Sequence, residues 1–298
     1  MINNRRVTAF TPFGRELTVS ILYHYMKRDH DRGILDEWQL WMNTDDSTVV
    51  VMNGEFHNVV GQLDDVLYAY KLERENDWIK VIERPLSVPL FPKQLNTGLF
   101  YKTQTIEPGT TYLRFDDDIV YVHEDAIENM VKAKSMYSGT LAIFPIIWNN
   151  AIVSYHLQQQ GIVPVPWGYV HPYCMDEVGW KSFEFAREMH NLLLKCIDAD
   201  MVEKLYLHHD RPLDEGMQFS VSCFAMNGED YCELDPPGDL RGMEEEHWLT
   251  VTRPHETKKH NVIISNAIVS HFSFYHQRER LLKETDILDR YRKVAESA

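Results

Sequence analysis

The chain has no cluster of lysines and arginines: 30 basic residues against 45 acidic ones give 298 residues a formal net charge of −15. So anionic a surface argues against a non-specific grip on phosphate backbones or anionic lipid. Nucleic acid is therefore not the expected partner, and phosphate binding falls to individual basic side chains. No stretch approaches the roughly 20 apolar residues of a membrane-spanning helix, and residues 1–10, MINNRRVTAF, lack the long apolar run of a signal peptide. A cytoplasmic location is the expectation. Cysteine is scarce, four residues in all. Cys174, Cys196, Cys223 and Cys232 show no close pair at metal-ligand spacing, so free thiols are expected, although Cys223 and Cys232 can face each other across a hairpin. Glycine-rich phosphate cradles are missing too, since the chain departs from both the P-loop and the GxGxxG patterns. Repeats, low-complexity tracts and long linkers are absent, which favours one integrated domain.

What the sequence does have is 44% hydrophobic residues in a pattern that alternates between strand and helix. Residues 6–10 are β-prone, and 16–27 follow with helical spacing through Leu17, Ile21, Leu22 and Tyr25. Strands are predicted at 37–42 and 78–83, helices at 64–75 and 93–101, and an extended apolar stretch at 111–122. Strand–helix alternation of this kind specifies an α/β fold with a Rossmann-like, mostly parallel sheet flanked by helices, whose ligands bind beyond the strands' carboxyl ends. The second half is less regular. Helices are expected at 123–134, 151–160, 182–194 and 278–295, a strand at 141–147, and a hairpin of 219–225 with 230–234 around Asn227-Gly228. Residues 163–173 read as a Pro-, Trp- and Tyr-rich loop, and 261–274 as an apolar run with one histidine.

The most informative stretch is TYLRFDDDIVYV, residues 111–122, in which three aspartates interrupt an apolar run. If extended, Asp116 and Asp118 share a face while Asp117 looks away. Two converging carboxylates beside a cleft hold a hard divalent cation, completed by waters and substrate phosphates. A solvated acidic turn between two strands is the alternative. Polar clusters also follow the other strands: Thr11, Pro12 and Arg15; residues 43–46, including Asp45; and Arg84. Each has a plainer reading, as a turn or a cap.

Taken together, Asp116-Asp117-Asp118 at the end of an apolar strand, the acidic run Glu244, Glu245 and Glu246 before Trp248, and the late His271 resemble the motifs of GT-A-fold glycosyltransferases. That resemblance implies a nucleotide-sugar-binding half, about 1–135, and a more variable acceptor half, about 136–298. It implies that Asp118, with Asp116 and His271, meets the metal, that Asp116 and Asp117 lie against the donor, and that Asp45 accepts from a uracil N3–H. Thr11, Pro12, Arg15 and Arg84 would surround the rest of a nucleoside-diphosphate sugar, most favourably a UDP-sugar, and the acceptor would be a hydroxyl, as on a glycan. An inverting enzyme needs a carboxylate base, and Glu245 or Glu246 is the candidate, with Glu244 and Asp239 behind them. For the histidine, His276, His255 and His260 are alternatives, and Arg278 is a further cation for a phosphate. Two rival readings are a metal-dependent nucleotidyltransferase and a carbohydrate- or calcium-binding module without activity.

Overall fold

Apolar residues make the first strand: in β1 (Arg6–Phe13) Val7, Ala9, Phe10 and Phe13 are buried, and α1 (Glu16–Asp31) covers them with Val19, Ile21, Leu22, Tyr25 and Met26. The computed structural model describes residues 4–42, 48–52, 55–59, 63–83, 93–104, 106–235 and 238–298. Along the chain follow β2 (Glu37–Met42), β3 (Thr48–Met52), β4 (Glu55–Val59), α2 (Leu63–Glu75), β5 (Ile79–Ile82), α3 (Lys93–Thr103) and β6 (Thr110–Phe115). β5, β2, β1 and β6 lie side by side in that order, all parallel, as the alternation of strands and helices predicts. β3 and β4 form a separate antiparallel pair.

The second half extends the same sheet. Its elements are β7 (Ile119–Val122), α4 (Ala126–Met136), β8 (Thr140–Trp148), α5 (Ala151–Gln159), α6 (Phe183–Asp198), β9 (Arg211–Pro212), β10 (Cys223–Asn227), α7 (Gly228–Cys232), α8 (Glu245–His247), α9 (Arg253–Thr257), β11 (His260–His271), α10 (Tyr275–Glu284) and α11 (Ile287–Glu296). The full order is β5-β2-β1-β6-β10-β8-β11-β7, with β9 added on β11 to make nine strands. β10 is antiparallel to both its neighbours, and β8 and β11 run parallel to each other. β6 and β8 are buried along their whole length, as strands covered on both faces must be.

Two expected elements take another form. Asn227-Gly228 does not turn a hairpin; the chain enters α7 there, because β10 already has β6 on one edge and β8 on the other. No edge is left for a returning strand. The C-terminal helix is two helices, broken at Thr285, whose backbone is extended and whose hydroxyl donates to the Leu281 carbonyl at 2.6 Å. A side chain that bonds the local backbone in this way competes with helix continuation. All four cysteines are free thiols.

Candidate active site

β1, β6 and β11 end, and β10 begins, at one margin of the sheet, and the acidic triplet lies there. Asp116, Asp117 and Asp118 form a tight turn between β6 and β7 instead of continuing the strand. Its backbone is tied to three elements. The Asp116 N–H donates to the Ser222 carbonyl ahead of β10 (2.8 Å), the Phe272 N–H beyond β11 donates to the Asp118 carbonyl (2.8 Å), and the Thr18 hydroxyl of α1 donates to the Asp117 carbonyl (2.5 Å). The turn is therefore buried, with Asp118 only 2% exposed, and not the solvated one of the alternative reading. An open cleft of about 630 Å³ lies over it.

Each aspartate has its own cation. Arg15 grips Asp117 with both ends of its guanidinium and reaches Asp118 at 3.2 Å. Arg278 reaches the same oxygen of Asp118 at 3.2 Å, while His271 Nε2 lies 3.2 Å from the other. Arg114 pairs with Asp116 at 2.7 Å and with Glu245 at 3.0 Å. Burial alone would raise the Asp118 carboxyl, but His271, Arg15 and Arg278 overcome it and hold the group well below the usual carboxylate range. These cations favour the ionised form of Asp118.

Asp116, Asp118 and His271 each offer one ligand atom, all within 4.8 Å of one another. Ligands at about 2.1 Å on an octahedral ion stand about 3.0 Å apart when adjacent and about 4.2 Å when opposite. The 3.2 Å between Asp118 Oδ1 and His271 Nε2 is close to the shorter separation and is also that of the ion pair they make, so these two atoms are compatible with adjacent ligands of a hard divalent cation.

Across the cleft stand Glu244, Glu245 and Glu246 at the start of α8. Glu245 is buried and fully engaged, accepting from the Tyr101 hydroxyl at 2.6 Å while paired with Arg114. Burial pushes it up, and Arg114 opposes the rise. Among the described residues, the Glu246 carboxylate is held by Gln218 Nε2 alone, at 2.6 Å. Burial, offset in part by Gln218 and reinforced by Glu244, pushes its carboxyl up to about 7.

Of the residues singled out in the sequence, Pro12, Arg15, Asp116, Asp117, Asp118, Glu244, Glu245, Glu246, His271 and Arg278 all line this cleft. Thr11 does not; it is fully buried, and its hydroxyl accepts from the Trp38 indole at 3.0 Å. Asp45 and Arg84 lie outside the described residues. His255 pairs with Glu215 on the surface, and His276 packs edge-on against Trp180. Asp239 pairs with Lys102. Sequence reasoning did not single out Gln218, Ser220 and Ser222, which line the cleft ahead of β10. Their signal was the period-two alternation with Phe219, Val221 and Cys223, which puts polar side chains on one face. Trp180, which also lines the cleft, follows a turn capped by Asp176 at the Val178 and Gly179 amides; nothing in its spacing marked it.

No protein-family model and no curated protein matches the sequence. Solved structures with a similar chain path include glucosyl-3-phosphoglycerate synthase from Mycobacterium tuberculosis, in complex with Mn²⁺ and UDP-glucose, at 11% identity and a TM-score of 0.39 over 83% of this chain and 67% of that one. A mycobacterial protein is similar at 10% identity and a TM-score of 0.40, over 90% of this chain and 67% of its own. 4-Diphosphocytidyl-2C-methyl-D-erythritol synthase from Anaerococcus prevotii is 15% identical with a TM-score of 0.32, over 48% of this chain; the chain spans 56% of that protein's length.

Proposed function

We propose that the protein is a metal-dependent glycosyltransferase that moves a sugar from a nucleoside-diphosphate donor, a UDP-sugar in the favoured case, to a hydroxyl acceptor such as a glycan. The observation that carries this reading is the pairing, in one cleft at the ends of β1, β6 and β11, of three side chains that could hold a cation with a separate carboxylate that burial pushes up to about 7. Asp116, Asp118 and His271 hold Mn²⁺ or Mg²⁺, which when bound neutralises charge on the departing diphosphate. Pro12 and Arg15 lie beside the donor, with Asp117 fixing Arg15. Asp45 and Arg84, outside the described residues, are proposed as donor-binding groups on the sequence resemblance alone.

Glu246 is the base of an inverting reaction. With its carboxyl near 7 it is ionised in an appreciable fraction at neutral pH and still basic enough to take a proton from the acceptor hydroxyl as that oxygen attacks the anomeric carbon. Gln218 orients it. Glu245, bonded to Arg114 and Tyr101, is the less free of the two carboxylates, and in this reading it holds Arg114 against Asp116.

Two measurements test this. UDP-, GDP- and dTDP-sugars are incubated with the protein with and without Mn²⁺, and nucleoside diphosphate release is followed; a metal-dependent signal from a UDP-sugar is expected. In parallel, UDP raises the melting temperature only when Mn²⁺ is present. Stabilisation by nucleoside triphosphates alone would favour a nucleotidyltransferase instead, and stabilisation by Ca²⁺ without nucleotide would favour a binding module.

A further inference from the structure

The cations of the cleft are not equally committed. Arg114 is buried between Asp116, Glu245 and the Val221 carbonyl. Arg15 is anchored by its two-pronged grip on Asp117. Arg278, in the first turn of α10, has Asp118 as its one carboxylate partner among the described residues, and its other bonds are single contacts to the Ser273 hydroxyl (3.2 Å) and carbonyl (3.3 Å). About a third of its side chain is exposed. It borders both the main cleft and a second cavity of about 250 Å³, so open space lies to either side of it.

Asp118 already faces the guanidinium groups of Arg15 and Arg278 at one carboxylate oxygen and the His271 ring at the other. A dication taking Asp118 Oδ1 beside His271 stands next to the Arg278 guanidinium already on Oδ2 of the same carboxylate, and repulsion between them is weakly screened in a buried site. A diphosphate returns negative charge and matches the guanidinium fork in a bidentate contact. We propose that Arg278 is an exchangeable counterion: it neutralises Asp118 while the cleft is free of donor, then releases that carboxylate to a divalent cation and turns to the donor's diphosphate. Metal and nucleotide consequently bind interdependently. This rests on the glycosyltransferase reading above.

Calorimetric titrations of Mn²⁺, UDP and inorganic pyrophosphate, each alone and each with the other component saturating, test the exchange in the wild type, Arg278→Gln and Arg278→Lys. Melting curves without ligand establish that the variants are folded. In the wild type, UDP tightens Mn²⁺ binding about tenfold or more, within the usual range of coupling between sites. In Arg278→Gln, Mn²⁺ alone binds more tightly than to the wild type and the coupling falls to about threefold or less, while Arg278→Lys retains part of it. An Arg278→Gln protein whose coupling is unchanged, or whose UDP affinity drops equally with and without Mn²⁺, overturns the exchange and makes Arg278 a fixed contact. Coupling with pyrophosphate but not UDP upholds the exchange and removes the UDP-sugar reading. Turnover of a UDP-sugar by a wild type without coupling removes the exchange alone.

Discussion

Glu245 and Glu246 are adjacent in sequence and differ in circumstance. The first is spent on Arg114 and Tyr101, and the second keeps a single neutral partner in Gln218. This difference has a cost that can be measured. Glu246 titrates near 7 in the fold against 4.5 ordinarily, so between those values the folded protein keeps a proton that the unfolded chain releases. Stability attributable to this residue is therefore intact below about pH 4.5, declines as pH rises through the window and stays reduced above about 7, by about 3 kcal/mol at most. Glu246→Gln is expected to raise the urea midpoint at pH 8 while changing it little at pH 4.5, and to lower turnover by about a hundredfold or more with metal-dependent UDP affinity retained. Equal effects on stability at both pH values, or unaltered turnover, would show that Glu246 is neither strained nor the base. The sequence displayed the acidic run but not this division of labour, because the deciding partners, Tyr101, Arg114 and Gln218, are distant in the chain. Asp116 and Asp118 were legible because carboxylates beside apolar strand residues stand out without any knowledge of their partners, whereas His271, which lies with them here, was marked only by the family resemblance.

At the scale of elements, periodicity identified strands and helices well where each element has an uncomplicated environment. β2 begins and ends where its alternation says, at Glu37 and Met42. It misread places where the chain's neighbours decide. Asn227-Gly228 carries a hairpin signature, yet the glycine serves a close approach: a Cβ added at Gly228 would lie 2.0 Å from the Glu107 carbonyl oxygen and 3.2 Å from the Tyr112 ring. Backbone on the receiving side cannot swing away as a side chain can. Gly228→Ala is accordingly expected to destabilise the protein by about 2 kcal/mol or more, read from denaturant unfolding. A loss below about 0.5 kcal/mol, the level of an ordinary surface change, would mean that the α7 start is not packed against residue 107. The same contact explains why the turn was misjudged, since a dipeptide's preference for a hairpin says nothing about which edges of the sheet are already taken.

For the whole molecule, the sequence resemblance implies a boundary near residue 135, and the sheet does not respect it. β10 comes from the second half and is inserted between β6 of the first half and β8, while β7 pairs with β11. Arg5, ahead of β1, binds Glu229 in α7 at 2.6 Å, and the Arg114–Glu245 pair joins the two halves beneath the cleft. Removing residues 136–298 would leave β6 with a bare edge, Arg114 without its Glu245 carboxylate, and the apolar faces of β1 and β6 partly uncovered. Folding should then be cooperative across the boundary, with calorimetry of the full chain giving one transition whose van't Hoff and calorimetric enthalpies agree. A fragment of residues 1–135 should show neither a sharp thermal transition nor protected core amides. A cooperative melt of that fragment, or two resolved transitions in the full chain, would establish residues 1–135 as an autonomous unit and make the cleft an interface between two domains instead of a feature of one sheet.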